Sequence, residues 1–138
     1  RPKASLPGEV KPTHEFYSYT AKYLDEQGAV LEIPARLSKV IIAKIQKMAL
    51  AAFASLDLAG MARVDFFLDT HQQLYLNEVN TIPGFTKISM YPKLWQASGL
   101  SYPKLLEELI KLALERHRAK HSLSTSYQVK DFWSKAGC

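Results

Sequence analysis

The sequence predicts an α+β domain, mainly antiparallel sheet with flanking helices, and three observations carry that expectation. Apolar residues recur at the three-to-four spacing of one helix face after Ser38 and again after Ser101. Between those stretches, Met61–Asp69 (MARVDFFLD) and Leu74–Asn80 (LYLNEVN) have the two-residue period of strands. Only THQQ separates them, so they are expected to pair as a β-hairpin.

The elements follow in order. Arg1–Pro12 holds three prolines and one glycine and reads as a loop or an edge segment. Thr13–Asp25 carries Phe16, Tyr17, Tyr19 and Tyr23 and fits neither a clean helix nor a clean strand; it suggests a surface loop packed by its own side chains. AVLEIP, residues 29–34, is a short strand closed by proline. Ser38 is a good N-cap for a helix whose buried face is Ile41, Ile42, Ile45, Met48, Ala49, Ala52, Phe53 and Leu56. Gly60 closes the connection to the hairpin. Ser101, followed by Tyr-Pro, caps a last helix with Leu105, Leu106, Leu109, Ile110, Leu112 and Ala113 facing inward. The pattern dissolves beyond about His121.

Size and composition bound the function. The chain has 138 residues, 47% of them hydrophobic and 22% charged, which suits one soluble domain but is short for a complete multi-substrate enzyme. No apolar run reaches the roughly 20 residues of a membrane span. The only cysteine is Cys138, so no internal disulfide is expected and a reducing cytoplasm is the default. The net charge of +5 admits an anionic partner. Its basic residues cluster only in RHRAKH, 116–121, with no aromatic interleaving, so nucleic acid is not an expected partner.

The hairpin carries the chemistry. Alternation places Val64, Phe66 and Leu68 toward the core and Arg63, Asp65 and Phe67 on the other face. Pairing Asp69 with Leu74 would set Phe67 opposite Leu76, Asp65 opposite Glu78 and Arg63 opposite Asn80. Directly opposed Cβ atoms lie about 5 Å apart, and two carboxylates at that distance need a proton or a cation between them. An oxygen-only set of this kind suits magnesium, and Arg63 suits an anion under transfer. The bland alternative is a solvated face on which Arg63 neutralises Asp65. After Asn80, Pro83-Gly84 makes a turn that lets backbone approach a ligand. Thr86, Ser89 and nearby N–H groups could bind a carboxylate if a helix starts near Tyr91; alternatively, Ser89 merely caps that helix.

MARVDFFLD followed by LNEVNTIPGFTKISMYPKLWQASGL closely resembles the C-terminal half of the D-alanine–D-alanine ligases of the ATP-grasp superfamily. EFYSYTAKY resembles their ω-loop, and the likeness runs from about Gly8 to His117. The resemblance implies an ATP-grasp C-terminal subdomain over about 1–120, an ω-loop near 13–28 and a tail, 121–138, of unknown structure. The family's N-terminal and central domains have no counterpart in the chain. The implied activity is ATP-dependent joining of two D-alanines through an acyl phosphate, for cell-wall peptidoglycan. Asp65, Glu78 and Asn80 match ligands of two Mg2+ (or Mn2+) ions. Arg63 and the N–H of Gly84 match oxyanion donors, and Ser89 with the N–H of Met90 matches the second substrate's carboxylate site. Lys22 and Tyr23 fall on ω-loop positions that reach a phosphate and close the site, and Phe67 and Asn77 fall where the family contacts adenine. Tyrosine at Tyr23 implies D-alanine rather than D-lactate as acceptor. The family context implies a homodimeric cytoplasmic protein, and the 138 residues alone are expected to be inactive. The rivals are another ATP-grasp carboxylate–amine ligase or a D-alanine–D-lactate ligase, a nucleic-acid binder using 116–121, and a non-catalytic scaffold, which would be indifferent to loss of Glu78 or Asn80.

Overall fold

The computed structural model describes residues 1–12, 29–86 and 88–123. Its elements are β1 (Glu9–Pro12), β2 (Ala29–Glu32), α1 (Lys39–Ser55), β3 (Arg63–Leu68), β4 (Leu74–Asn80), α2 (Met90–Ala97) and α3 (Tyr102–His121). The strands form two separate antiparallel ladders, β1–β2 and β3–β4, rather than one sheet. The aromatic segment expected at 13–28 lies outside the described residues, as do residue 87 and the tail beyond 123.

The N-terminal segment is more ordered than its prolines suggest. Of the two readings open for it, the edge segment holds, since Glu9 pairs with Glu32 and Pro12 with Ala29 at the strand end. Lys11 bonds Glu32 and lies 3.5 Å from Glu9, which relieves two acids placed opposite one another. That bond holds the Glu32 carboxyl below, and the Lys11 amine above, its ordinary pKa. Upstream, the backbone is fastened at three points. Leu6 N–H donates to Ser98 Oγ (2.8 Å), Ala35 N–H to Pro7 O (2.9 Å) and Gln46 Nε2 to Ser5 O (2.9 Å). Gly8 sits so close to α2 that a Cβ there would be 2.8 Å from both Leu94 Cδ2 and Met90 Cε.

α1 starts as its sequence requires. Ser38 is extended and its Oγ accepts from Ile41 N–H at 3.3 Å. The helix packs on β3 and β4, yet only Ile41 of the expected face is fully buried and Leu56 remains 57% exposed. α2 ends at Gly99, whose φ of 90° suits glycine and turns the chain into α3. Pro103 sits in the first turn of α3, where no N–H is needed. Ser101 occupies the expected N-cap position, but its side chain makes no capping bond.

The inward face expected for α3 is corrected. Leu105 alone is buried, whereas Leu106, Ile110 and Leu112 are exposed. The reason is packing: α2 is the main described neighbour of α3, and burial along α3 is confined to Leu105, near its start. Among the described residues the buried apolar side chains are Ala35, Ile41, Tyr91 and Leu105, together with Pro83 and Pro92. Around Tyr91 the aromatic rings meet, with Phe85 at 5.5 Å and Trp95 at 6.5 Å between centroids. No described helix is long and apolar enough to cross a membrane.

Candidate active site

β3 and β4 pair as expected in the half that matters for chemistry. Arg63 lies opposite Asn80 and Asp65 opposite Glu78. Beyond Asp65 the register slips by one residue, so Phe66 faces Leu76, Phe67 faces Tyr75, and Asn77 has no cross-strand partner. The expected pairing of Asp69 with Leu74 and the opposition of Phe67 and Leu76 are therefore wrong: Leu68 pairs with Leu74, and Leu76 and Glu78 lie on opposite faces. Two local causes are visible. Asp69 Oδ1 accepts from His71 N–H (2.9 Å) and Gln73 N–H (2.8 Å), and Asp69 N–H bonds Gln73 O. Gln72, at φ 61°, completes a loop tighter than THQQ. Leu76 consequently turns to the α1 side, where it lines an open pocket with Met48, Ala52 and Leu56 and stays 48% exposed, while Phe67 is 63% exposed beside Tyr75.

Arg63 sits between the opposed acids. Its Nε and Nη2 each lie 2.8 Å from a different oxygen of Asp65, and Nη2 lies 3.3 Å from Glu78 Oε1. The bonds to Asp65 raise the guanidinium pKa still further above its ordinary value. This is the ion pair of the bland reading. It also shows that the spot between the two carboxylates stabilises positive charge, the property a divalent cation site needs. Asp65, Glu78 and the amide oxygen of Asn80 are hard oxygen donors on one face, so the donor set fits magnesium. Asn80 Oδ1 accepts from Ile82 N–H at 3.0 Å and keeps a second lone pair. Among the described residues no group of three or more His, Cys, Asp or Glu could hold a metal, so this set depends on the amide.

The loop after Asn80 is pinned at Phe85, whose ring packs on Tyr91 and on Tyr102 at 6.0 Å. Pro83 is buried and Gly84 is exposed. A Cβ on Gly84 would stand 2.9 Å from Ser89 Oγ, so glycine is what permits that approach. Ser89 is the N-cap of α2, but its hydroxyl makes no capping bond. It accepts instead from Thr86 N–H at 2.9 Å and lies 2.9 Å from Thr86 Oγ1. Capping is thus not what the Ser89 side chain does. The sequence held the signal: Pro92 is the third helical residue and has no N–H to offer a cap. Lys22 and Tyr23 lie outside the described residues, so their placement relative to this face is not described.

Fold and site together define an α+β module that sets opposed acids, an arginine and an amide on a hairpin, beside a loop leading into a helix. Residues 1–111 match the family described as D-ala D-ala ligase C-terminus, and the chain belongs to that family. It is 56% identical over 126 residues to the D-alanine–D-alanine ligase of Oceanobacillus iheyensis, covering 91% of this chain and 34% of that protein. The solved D-alanine–D-alanine ligase from Coxiella burnetii superposes with a TM-score of 0.72 at 44% identity, covering 86% of this chain and 30% of that one. A D-Ala:D-Ser ligase from Enterococcus faecalis gives 0.68 at 35% identity, covering 78% and 31%. The chain spans about a third of the length of the curated relatives it matches. The expected ATP-grasp C-terminal fold is borne out by these ligases.

Proposed function

We propose that this chain forms the magnesium-binding and second-substrate part of an ATP-dependent ligase that joins two D-alanines for peptidoglycan synthesis. The carrying observation is the direct opposition of Asp65 and Glu78 with Arg63 between them. The names of the relatives support the substrate. On this reading residues 1–120 are the C-terminal part of the ligase domain, and the site is completed by parts of the enzyme outside the 138 residues.

Asp65, Glu78 and Asn80 would hold Mg2+ or Mn2+, two ions in all, for the ATP-dependent step. A metal held by these residues would supply neutralisation of charge on the transferred phosphoryl group. The first D-alanine carboxylate takes the γ-phosphoryl and releases ADP; the second D-alanine, as its free amine, then attacks the acyl phosphate, and phosphate leaves as the amide bond forms. Arg63 and the N–H of Gly84 stabilise the oxyanion that forms. Ser89 and the N–H of Met90 bind the carboxylate of the attacking D-alanine. Phe67 and Asn77 contact the adenine, which suits their exposure on the hairpin. Lys22 reaches a phosphate, and Tyr23 helps close the site and favours D-alanine over D-lactate. The enzyme works as a cytoplasmic homodimer.

The test is phosphate release from Mg-ATP with D-alanine, with D-lactate as parallel acceptor, on the complete protein. Release with D-alanine alone is expected. Absence of release from the complete protein would favour the scaffold reading, and equal release with D-lactate would remove the role given to Tyr23.

A further inference from the structure

Ser89 has one proton to donate and two lone pairs with which to accept. Thr86 N–H already occupies one lone pair at 2.9 Å. The Thr86 hydroxyl is also 2.9 Å away, and either oxygen could carry the proton between them. If Ser89 donates, its proton is spent inside the loop. If Thr86 donates, both lone pairs of Ser89 are filled and its proton must go to a third group.

A carboxylate decides between the two arrangements. It can only accept, and hydrogen bonds to an ionised acceptor are about twice as strong as neutral ones. A carboxylate arriving at Ser89 therefore draws the Ser89 proton to itself. Thr86 then donates into Ser89 with both its N–H and its O–H, and each bond polarises the next. Two further features keep Ser89 available. Pro92 removes the N–H at the third helical position, so α2 does not compete for the hydroxyl through it. Gly84 leaves the space in which Oγ stands.

We infer that Thr86 is a positioning residue for the second substrate: its hydroxyl and N–H clamp Ser89 Oγ so that the serine proton points to the incoming carboxylate. This rests on the proposed role of Ser89 and goes beyond it, because it assigns the hydroxyl of a neighbouring exposed threonine to acceptor binding.

The experiment uses the complete ligase and four variants: Thr86→Val, Thr86→Ser, Ser89→Ala and the double Thr86→Val/Ser89→Ala. Valine keeps the shape and the backbone N–H and removes only the hydroxyl. The expected result is a KM for the acceptor D-alanine raised about five- to tenfold in Thr86→Val, the size of one hydrogen bond. The KM for ATP should stay within about twofold, and Thr86→Ser should restore the acceptor KM. The double variant should be no worse than Ser89→Ala, because the clamp has nothing left to orient. An unchanged acceptor KM in Thr86→Val, beside a raised one in Ser89→Ala, overturns the clamp and leaves the role of Ser89 standing. Additive losses in the double variant, or no rescue by serine, also overturn it. An unchanged acceptor KM in Ser89→Ala overturns the carboxylate reading and the clamp together.

Discussion

Asp65 and Glu78 face each other directly across the β3–β4 ladder, and the guanidinium of Arg63 donates to both. Cross-strand like charges destabilise a hairpin, so this pair persists through the cation it holds. The same face can present that cation or exchange it for another, and its fate distinguishes an active ligase from a scaffold.

Glu78→Gln keeps the shape of the side chain and removes one negative charge. In the complete ligase proposed above, turnover is expected to fall by about 100-fold or more, with a higher Mg2+ concentration needed for half-maximal rate. The melting temperature should move little, because the carboxylate is 47% exposed and its pairing with Arg63 is a surface contact. Magnesium titrations of turnover beside thermal melts check this. Near-normal turnover would remove Glu78 from the metal site.

Arg63→Lys tests geometry rather than charge. Two nitrogens of Arg63 reach two oxygens of Asp65, an arrangement a single ammonium cannot reproduce. Turnover is expected to drop by roughly 100-fold in the lysine variant and at least as far in Arg63→Ala. Should lysine support full turnover, charge alone suffices and the oxyanion role given to the planar fork is wrong.

Gly8→Ala probes the seam between the N-terminal segment and α2. The new Cβ would lie 2.8 Å from Leu94 Cδ2 and Met90 Cε, which are ends of movable side chains. A destabilisation of about 1–3 kcal/mol is expected, the usual cost of overpacking. Denaturant unfolding of the two proteins measures it, and equal midpoints would show that these tips shift at no cost.

Tyr91 predicts an alkaline limit to stability. Burial raises its hydroxyl pKa above the ordinary value of about 10. The unfolded chain therefore loses this proton first, and the folded state binds more protons from that pH up to the raised pKa. By linkage the contribution is fully present below about pH 10 and declines as pH rises toward the folded value. Tyr91→Phe should lack this decline. Melting temperatures of both proteins between about pH 8 and 11 decide it; parallel curves would refute a role for Tyr91.

The chemical half of the hairpin was legible because it is regular: alternation alone set Asp65 against Glu78 and Arg63 against Asn80. The slip beyond Asp65 was not legible, since neither glycine nor proline marks Asn77 and its cause is a side-chain bond from Asp69 inside the turn. β1 escaped clear recognition because four residues give too little pattern and their partner lies far along the chain. Ser38 could be read as a working cap because its helix offers an N–H at Ile41. Ser89 could not be resolved between cap and ligand until the bonds to Thr86 were seen. For α3, apolar spacing marked the face a helix can cover, whereas burial depends on which neighbours arrive.

The unpaired residue Asn77 lets one strand serve two masters. Leu74, Leu76, Glu78 and Asn80 share odd–even parity, yet the first pair shares a side with Leu68 and Phe66 and the second with Asp65 and Arg63. A ladder in uninterrupted phase would have to choose between turning Leu76 to the helix side and presenting Glu78 to a ligand. Packing and chemistry are thus spelled separately, and each pair can drift in sequence without disturbing the other. What the arrangement does not forgive is drawing Asn77 into the ladder: pairing it would restore the strict alternation of the strand and turn one of the two pairs to the wrong side, whereas deleting Asn77 would leave every other pairing as it is.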